Sequence, residues 1–196
     1  MRQFYYLLIS FIFLSQTLSC QNSSSQSIYS NEFKWSIKIP ENYKSLSPTE
    51  VEKLNDLGKS GIENTYGEKV TSNPKIIFSF KNDEYNFVQA SCQIYDRVKD
   101  GDFGKLCAGI NKVLYETCKH QIPGVKIDTT NGIEKINNLE FHKYKMVLHY
   151  PNGQVLHWIT YDRLFDEKFL TISVTYIDND KGQEVIRCLD NSKFGK

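Results

Sequence analysis

Between residues 33 and 39 every odd position is apolar and every even one polar, and Pro40 follows. A period of two ended by proline predicts a half-buried strand. The next signal is Ser47-Pro48-Thr49-Glu50, which supplies an N-cap, a proline at the first helical position and the glutamate of a capping box, with Val51, Leu54 and Leu57 behind it. These residues predict a helix from Pro48. Residues 76–80 and 87–95 are apolar-rich runs joined by the turn-forming stretch 81–85, the pattern of two strands in a hairpin. Apolar side chains at 103, 106, 107, 110, 113 and 114 then recur at the 3.6-residue period and predict a second helix.

Beyond Pro123-Gly124 the pattern returns to strands, at residues 125–128, 141–150, 154–164 and 169–177. Tyr150-Pro151-Asn152-Gly153 has the chemistry of a type I turn with glycine in the left-handed bulge, which sets Tyr150 opposite Gln154. Carried along the hairpin, that register pairs Leu148 with Leu156, Met146 with Trp158 and Tyr144 with Thr160 on one face. On the other face it pairs Val147 with His157 and Lys145 with Ile159. Both faces carry bulk, so each needs a covering layer. The expected fold is α+β, a mostly antiparallel sheet of about six or seven strands with helices on both faces. Residues 178–182 lead into a short helix over 184–189 with Asp180 as its cap.

The front of the chain is different. An apolar run, residues 4–14, follows Arg2 and precedes Cys20. As a helix it rises about 16 Å, half the hydrocarbon thickness of a bilayer, so it is too short to remain as a span and matches a cleaved export signal over residues 1–19. Thr17-Leu18-Ser19-Cys20 is similar to a bacterial lipobox, with Thr17 where an aliphatic residue is usual. It marks Cys20 for lipid attachment and the bacterial cell envelope as the address. Cleavage without lipidation gives the alternative of a secreted protein. Residues 20–30 are Ser-, Gln- and Asn-rich and predict a flexible tether, leaving 31–196 as a single α+β domain.

Loss of the leader removes one cation, Arg2, and leaves 23 cationic residues against 23 acidic ones. A neutral domain lacks the phosphate-neutralising charge that dominates nucleic-acid affinity, so no nucleic-acid partner is expected. Membrane contact is expected through the lipid anchor alone.

The order of elements and a few short strings resemble a known fold group. The opening strand closes on Ile39-Pro40; a helix, two strands, a second amphipathic helix and a meander follow. Ile172-Ser173-Val174-Thr175-Tyr176-Ile177-Asp178-Asn179-Asp180 then runs into a last helix and Ser192-Lys193-Phe194. Over about residues 31–194 this resembles the PsbP-like α/β/α sandwich bacterial lipoproteins of unknown role. The resemblance implies a binding or scaffolding module, since that group includes a photosystem assembly subunit and a nuclear-transport regulator. It carries no functional residue across, because fold alone does not fix function.

Export places the four remaining cysteines, Cys92, Cys107, Cys118 and Cys188, in an oxidising compartment. On one helix Cys107 and Cys118 lie about 16 Å apart, beyond any disulfide. Cys92 and Cys118 each lie roughly 23 to 24 Å from the turn near Lys99, so they are expected level with each other and paired, with Cys107 paired to Cys188. Four free, buried thiols are the alternative. His149 and His157 share a face of the hairpin but have no third ligand, so no metal is expected. Asp178-x-Asp180-x-Gly182 lacks the acidic fifth position of a calcium loop and reads as capping. His142 faces Asp162 across the strands as a cross-strand pair rather than a catalytic dyad.

The chain carries no Gly-x-Ser-x-Gly elbow, phosphate loop, His-Glu-x-x-His or Cys-x-x-Cys. Its paired acids, Asp83-Glu84 and Asp166-Glu167, fall in turns. Neither catalysis nor a cofactor is expected. The reading is a lipid-anchored binding or accessory module of the envelope with an unknown protein partner. Its rival is a small-ligand carrier whose pocket, between sheet and helices, is lined by Trp158, Tyr144 and Tyr176.

Overall fold

The structure is a computed structural model that describes residues 26–195. The leader, Cys20 and the start of the expected tether lie outside those residues. In chain order the elements are β1 (Gln26–Ser30), β2 (Trp35–Ile39), β3 (Lys44–Ser45), α1 (Pro48–Tyr66), β4 (Lys75–Lys81), β5 (Phe87–Ile94), α2 (Arg97–Asp100), α3 (Phe103–Gln121), β6 (Lys126–Ile136), β7 (Leu139–His149), β8 (Val155–Phe165), β9 (Lys168–Tyr176), α4 (Asn179–Asp190) and β10 (Lys193–Phe194). Seven strands form one sheet in the order β3-β4-β5-β9-β8-β7-β6, and β1-β2-β10 form a smaller one. Every pairing is antiparallel.

Local signals set several elements directly. Ser47 caps α1 as a capping box, its hydroxyl accepting from the Glu50 amide while Glu50 accepts from the Ser47 amide at 2.9 Å. The β7–β8 turn closes with Tyr150 N–H donating to the Gln154 carbonyl at 2.9 Å and Gly153 at φ 86°, where only glycine is at ease. The register from that turn is the expected one, Tyr144 opposite Thr160 and Leu148 opposite Leu156.

Other elements differ from expectation. Residues 26–30, assigned to the tether on composition, form β1, with Ile28 opposite Ile37 in the smaller sheet. β6 runs eight residues past 128 because it is an edge strand with one fully buried residue, Ile136, and therefore shows no apolar alternation. A two-residue turn, Asn137-Asn138 with φ 48° and 63°, returns it into β7. The cap of α4 is Asp178, not Asp180. Its carboxylate accepts from the Asp180 and Lys181 amides, and the helix begins at Asn179.

The two faces of the large sheet are covered differently. On one, Val88, Ala90, Leu170, Ile172, Val174, Ile159 and Tyr161 share a core with Trp35, Ile37 and Ile39 of β2 and Val185 and Leu189 of α4. Gly182 lets α4 approach this face, since a Cβ there would lie 2.3 Å from the Tyr176 ring. On the other, α3 covers Tyr144, Met146, Leu148 and Leu156 through Cys118. There α1 packs beside α3, where Gln121 donates to the Gly61 carbonyl at 3.2 Å. Helices thus lie on both faces, an α/β sandwich. Asn86, 1% exposed, ties the β4–β5 turn to the start of α4 by accepting from the Ile177 and Asp178 amides.

Candidate functional site

The register makes the α3 face polar at its centre. Gln89, Ser173, Thr160 and Tyr144 lie in one row across β5, β9, β8 and β7, and Ser91, Thr171, Asp162 and His142 in the next. Asp162 is 3% exposed and accepts a 2.7 Å hydrogen bond from the Thr171 hydroxyl. Burial raises its carboxyl to about 6, and the Thr171 bond opposes that rise in part. Over this row stands the first half of α3, started by Asp102, whose carboxylate accepts from the Lys105 amide. Phe103 then packs edge-on against His142 and Phe169.

Between α3 and the β6–β7 edge lies a cavity of about 420 Å³. Cys107, Asn111 and Tyr115 line it from α3, and Asn131, His142 and Tyr144 from the sheet. Burial, with the Asp162 charge nearby, pushes the Cys107 thiol up to about 12. A thiol at that value stays protonated and is a poor nucleophile. Although Cys107, His142 and Asp162 are neighbours, no hydrogen bond links any two of them among the described residues, so the relay of an activated nucleophile is absent there.

A second concavity, of about 550 Å³, lies between the first half of α1 and the β3–β4 edge. Leu46, Leu54, Leu57 and Phe87 line it, with Lys53 and Asp83 among its charged residues. The apolar stripe expected on α1 is present, but none of its residues is buried, and Leu57 is 64% exposed.

Several expected sites are redistributed. Tyr144 lines the α3 cavity and Trp158 shares its face, donating to the Ser173 hydroxyl at 2.8 Å. Tyr176 lies on the opposite face, stacked on His157 at 4.7 Å, so the three rings do not line one pocket. Both disulfide expectations are corrected. All four cysteines are free, and the sheet separates each expected pair. Cys92 packs in the β2 core and donates to Glu32 at 3.6 Å, while Cys118 projects from α3 into the core on the other face. Cys107 is likewise on the α3 side and Cys188 on α4. Equal distance from a turn located them along the strand axis but not on a face. His149 pairs with Asp128 at 2.9 Å, and among the described residues no three of His, Cys, Asp and Glu converge as a metal set.

The cavity residues Asn111 and Asn131 were not anticipated. Asp162 was anticipated only as a partner of His142, although a lone carboxylate in the strand Ile159-Thr160-Tyr161-Asp162 was a usable signal.

No family model matches the chain, and no curated protein does. Solved structures do. Cyanobacterial PsbP (CyanoP) from Synechocystis sp. PCC 6803 superposes with a TM-score of 0.55 at 9% identity, covering 93% of this chain and 99% of that one. The fold is PsbP-like. A Bacteroides thetaiotaomicron crystal structure aligns at a TM-score of 0.45 and 10% identity, covering 83% of this chain and 45% of the other. At these identities the likeness concerns architecture alone.

Proposed function

We propose that the protein is a non-catalytic binding module of the bacterial envelope, held to the membrane by a lipid on Cys20, and that its partner is a protein docking along α1. The observation that carries this reading is the apolar groove in which exposed Leu54 and Leu57 of α1 stand beside Phe87 and the buried Leu46. Apolar side chains framed by charge are the usual composition of such a docking surface. The PsbP-like architecture and the unactivated Cys107 agree with a role in binding. No helix among the described residues is long and apolar enough to cross a membrane.

A photo-crosslinking residue in place of Leu57, activated in intact membranes, tests the docking surface. One discrete crosslinked product is expected; a crosslink pattern no different from that of a residue placed at exposed Lys112 would contradict it. Labelled palmitate tests the anchor. Incorporation that disappears in Cys20→Ala is expected, and incorporation that persists would contradict the assignment.

A second reading has its own observation. The α3 cavity, with Tyr144 and Tyr115 rings beside two carboxamides, is of a size and composition that suit a small ligand, which keeps open the role of carrier.

A further inference from the structure

Next to the His142 and Cys107 lining of the α3 cavity lies Asp162, a carboxylate with no ion-pair partner among the described residues. Asp162 is removed from water, and its sole hydrogen-bond donor among the described residues is the Thr171 hydroxyl. A carboxylate so placed is costly unless a cation neutralises it. The lysines in the cavity wall do not serve. Lys143 is engaged by Glu134, and Lys112 lies 3.8 Å from Glu116. The two side chains that adjoin Asp162, His142 across the β7–β8 register and Cys107 above it on α3, are themselves part of the cavity lining.

In the lining beside Asp162 one buried acceptor is left unmatched. The Asn111 amide nitrogen donates to Asn131 Oδ1 at 3.4 Å, which leaves Asn111 Oδ1 buried without a partner. An unmade hydrogen bond at a buried oxygen is a cost that a ligand N–H group would remove. Thr129 adds a further oxygen to the wall, and the Tyr115 and Tyr144 rings supply apolar surface. An anionic ligand would meet the Asp162 field across a low-dielectric wall with both lysines already paired. A neutral one would leave that field uncompensated.

We propose that this cavity binds a small organic ammonium ion, a primary amine whose N–H groups satisfy Asn111 Oδ1, whose charge offsets Asp162 and whose carbon chain lies against Tyr115 and Tyr144. The assignment rests on the carrier reading above and narrows it to one ligand class.

The test is a titration of the isotope-labelled full chain with n-butylammonium chloride, followed through the backbone amide resonances at constant ionic strength and pH 7.5. Sodium butyrate and 1-butanol serve as isosteric controls. Butylammonium is expected to move the Cys107, Asn111 and His142 signals saturably, and the two controls are not. In Asp162→Asn, a change of charge at nearly constant shape, binding is expected to weaken by about tenfold or more. Ala108→Leu, which fills the cavity from α3, is expected to abolish it. Butanol or butyrate binding as well as butylammonium would overturn the ammonium assignment while leaving a carrier in place. Saturation by none of the three probes would overturn both. Unchanged butylammonium binding in Asp162→Asn would overturn the role given to the buried charge.

Discussion

The two faces of the large sheet differ in how they are built and therefore in what they are able to do. The face under β2 and α4 is a continuous apolar core, closed by Trp35, which packs on Phe78 and Phe194 with ring centroids 5.3 and 5.2 Å away. Cores of this kind fill space to crystal-like density, although a concavity of about 600 Å³ lies beside this one, lined by Ile37 and Lys38 of β2 and Glu184 and Cys188 of α4. The face under α1 and α3 has a polar centre, a buried carboxylate and a helix, α1, with no buried residue. Unpaired buried polar atoms occur on both faces, Trp35 Nε1 and Ser192 Oγ on the first and Asn111 Oδ1 and Thr160 Oγ1 on the second; what sets the second apart is its buried carboxylate and the exposed leucines of α1. The contrast separates the more deeply buried part of the fold from the part proposed to meet a partner.

Deleting core volume is the strongest way to probe that contrast. Leu170→Ala, fully buried on the β2 side, is expected to cost about 3–5 kcal/mol in denaturant unfolding, whereas Leu57→Ala on α1 is expected to cost less than about 0.5 kcal/mol. Equal costs would erase the distinction. Next in size is Gly182→Ala. The new methyl would meet the Tyr176 ring, which is held from its other surroundings by the His157 stack, so a loss of about 3 kcal/mol is expected.

Asp162→Asn carries the opposite sign. Because the folded-state carboxyl sits near 6 against an ordinary 3.8, the native state retains a proton that the unfolded chain releases. The stability associated with that proton is present below pH 3.8 and lost as pH rises to about 6. The groups that face Asp162 are Thr171 on β9, His142 on β7 and Cys107 on α3. Replacement by Asn is expected to flatten the fall in stability over that window and to add about 2 kcal/mol at pH 7. A loss of stability at pH 7 would show that the carboxylate is compensated. A smaller loss is expected from Ser47→Ala at the cap of α1, about 1 kcal/mol, read by faster amide exchange across α1 with α4 unchanged.

The elements legible in the sequence are those encoded over a few neighbouring residues. The Ser47–Glu50 box started α1, and the Tyr150–Gly153 turn fixed the β7–β8 register, so that pair of strands could be placed by counting. Strands at edges were less legible, because β1, β10 and the part of β6 beyond Asp128 bury few side chains; the Asn137-Asn138 turn was the one local signal for the end of β6. The site was legible only in part. His142 opposite Asp162 followed from the register, but the placement of α3 above that row, which buries Asp162 and brings Asn111 to Asn131, is a matter of tertiary packing. The same limit defeated the disulfide pairing, since distance along an axis does not say on which side of a sheet a cysteine lies.

The claim that α1 presents the docking surface is tested most directly by the double substitution Leu54→Glu and Leu57→Glu in the full chain, with thermal unfolding and partner crosslinking measured on the same preparation. Both positions are exposed and contribute no core, so the melting midpoint is expected to stay within about 2 °C of the parent while the crosslinked partner is lost. A parent-like melt with the partner retained would contradict the account, and so would a collapse of the melt showing that α1 is part of the core.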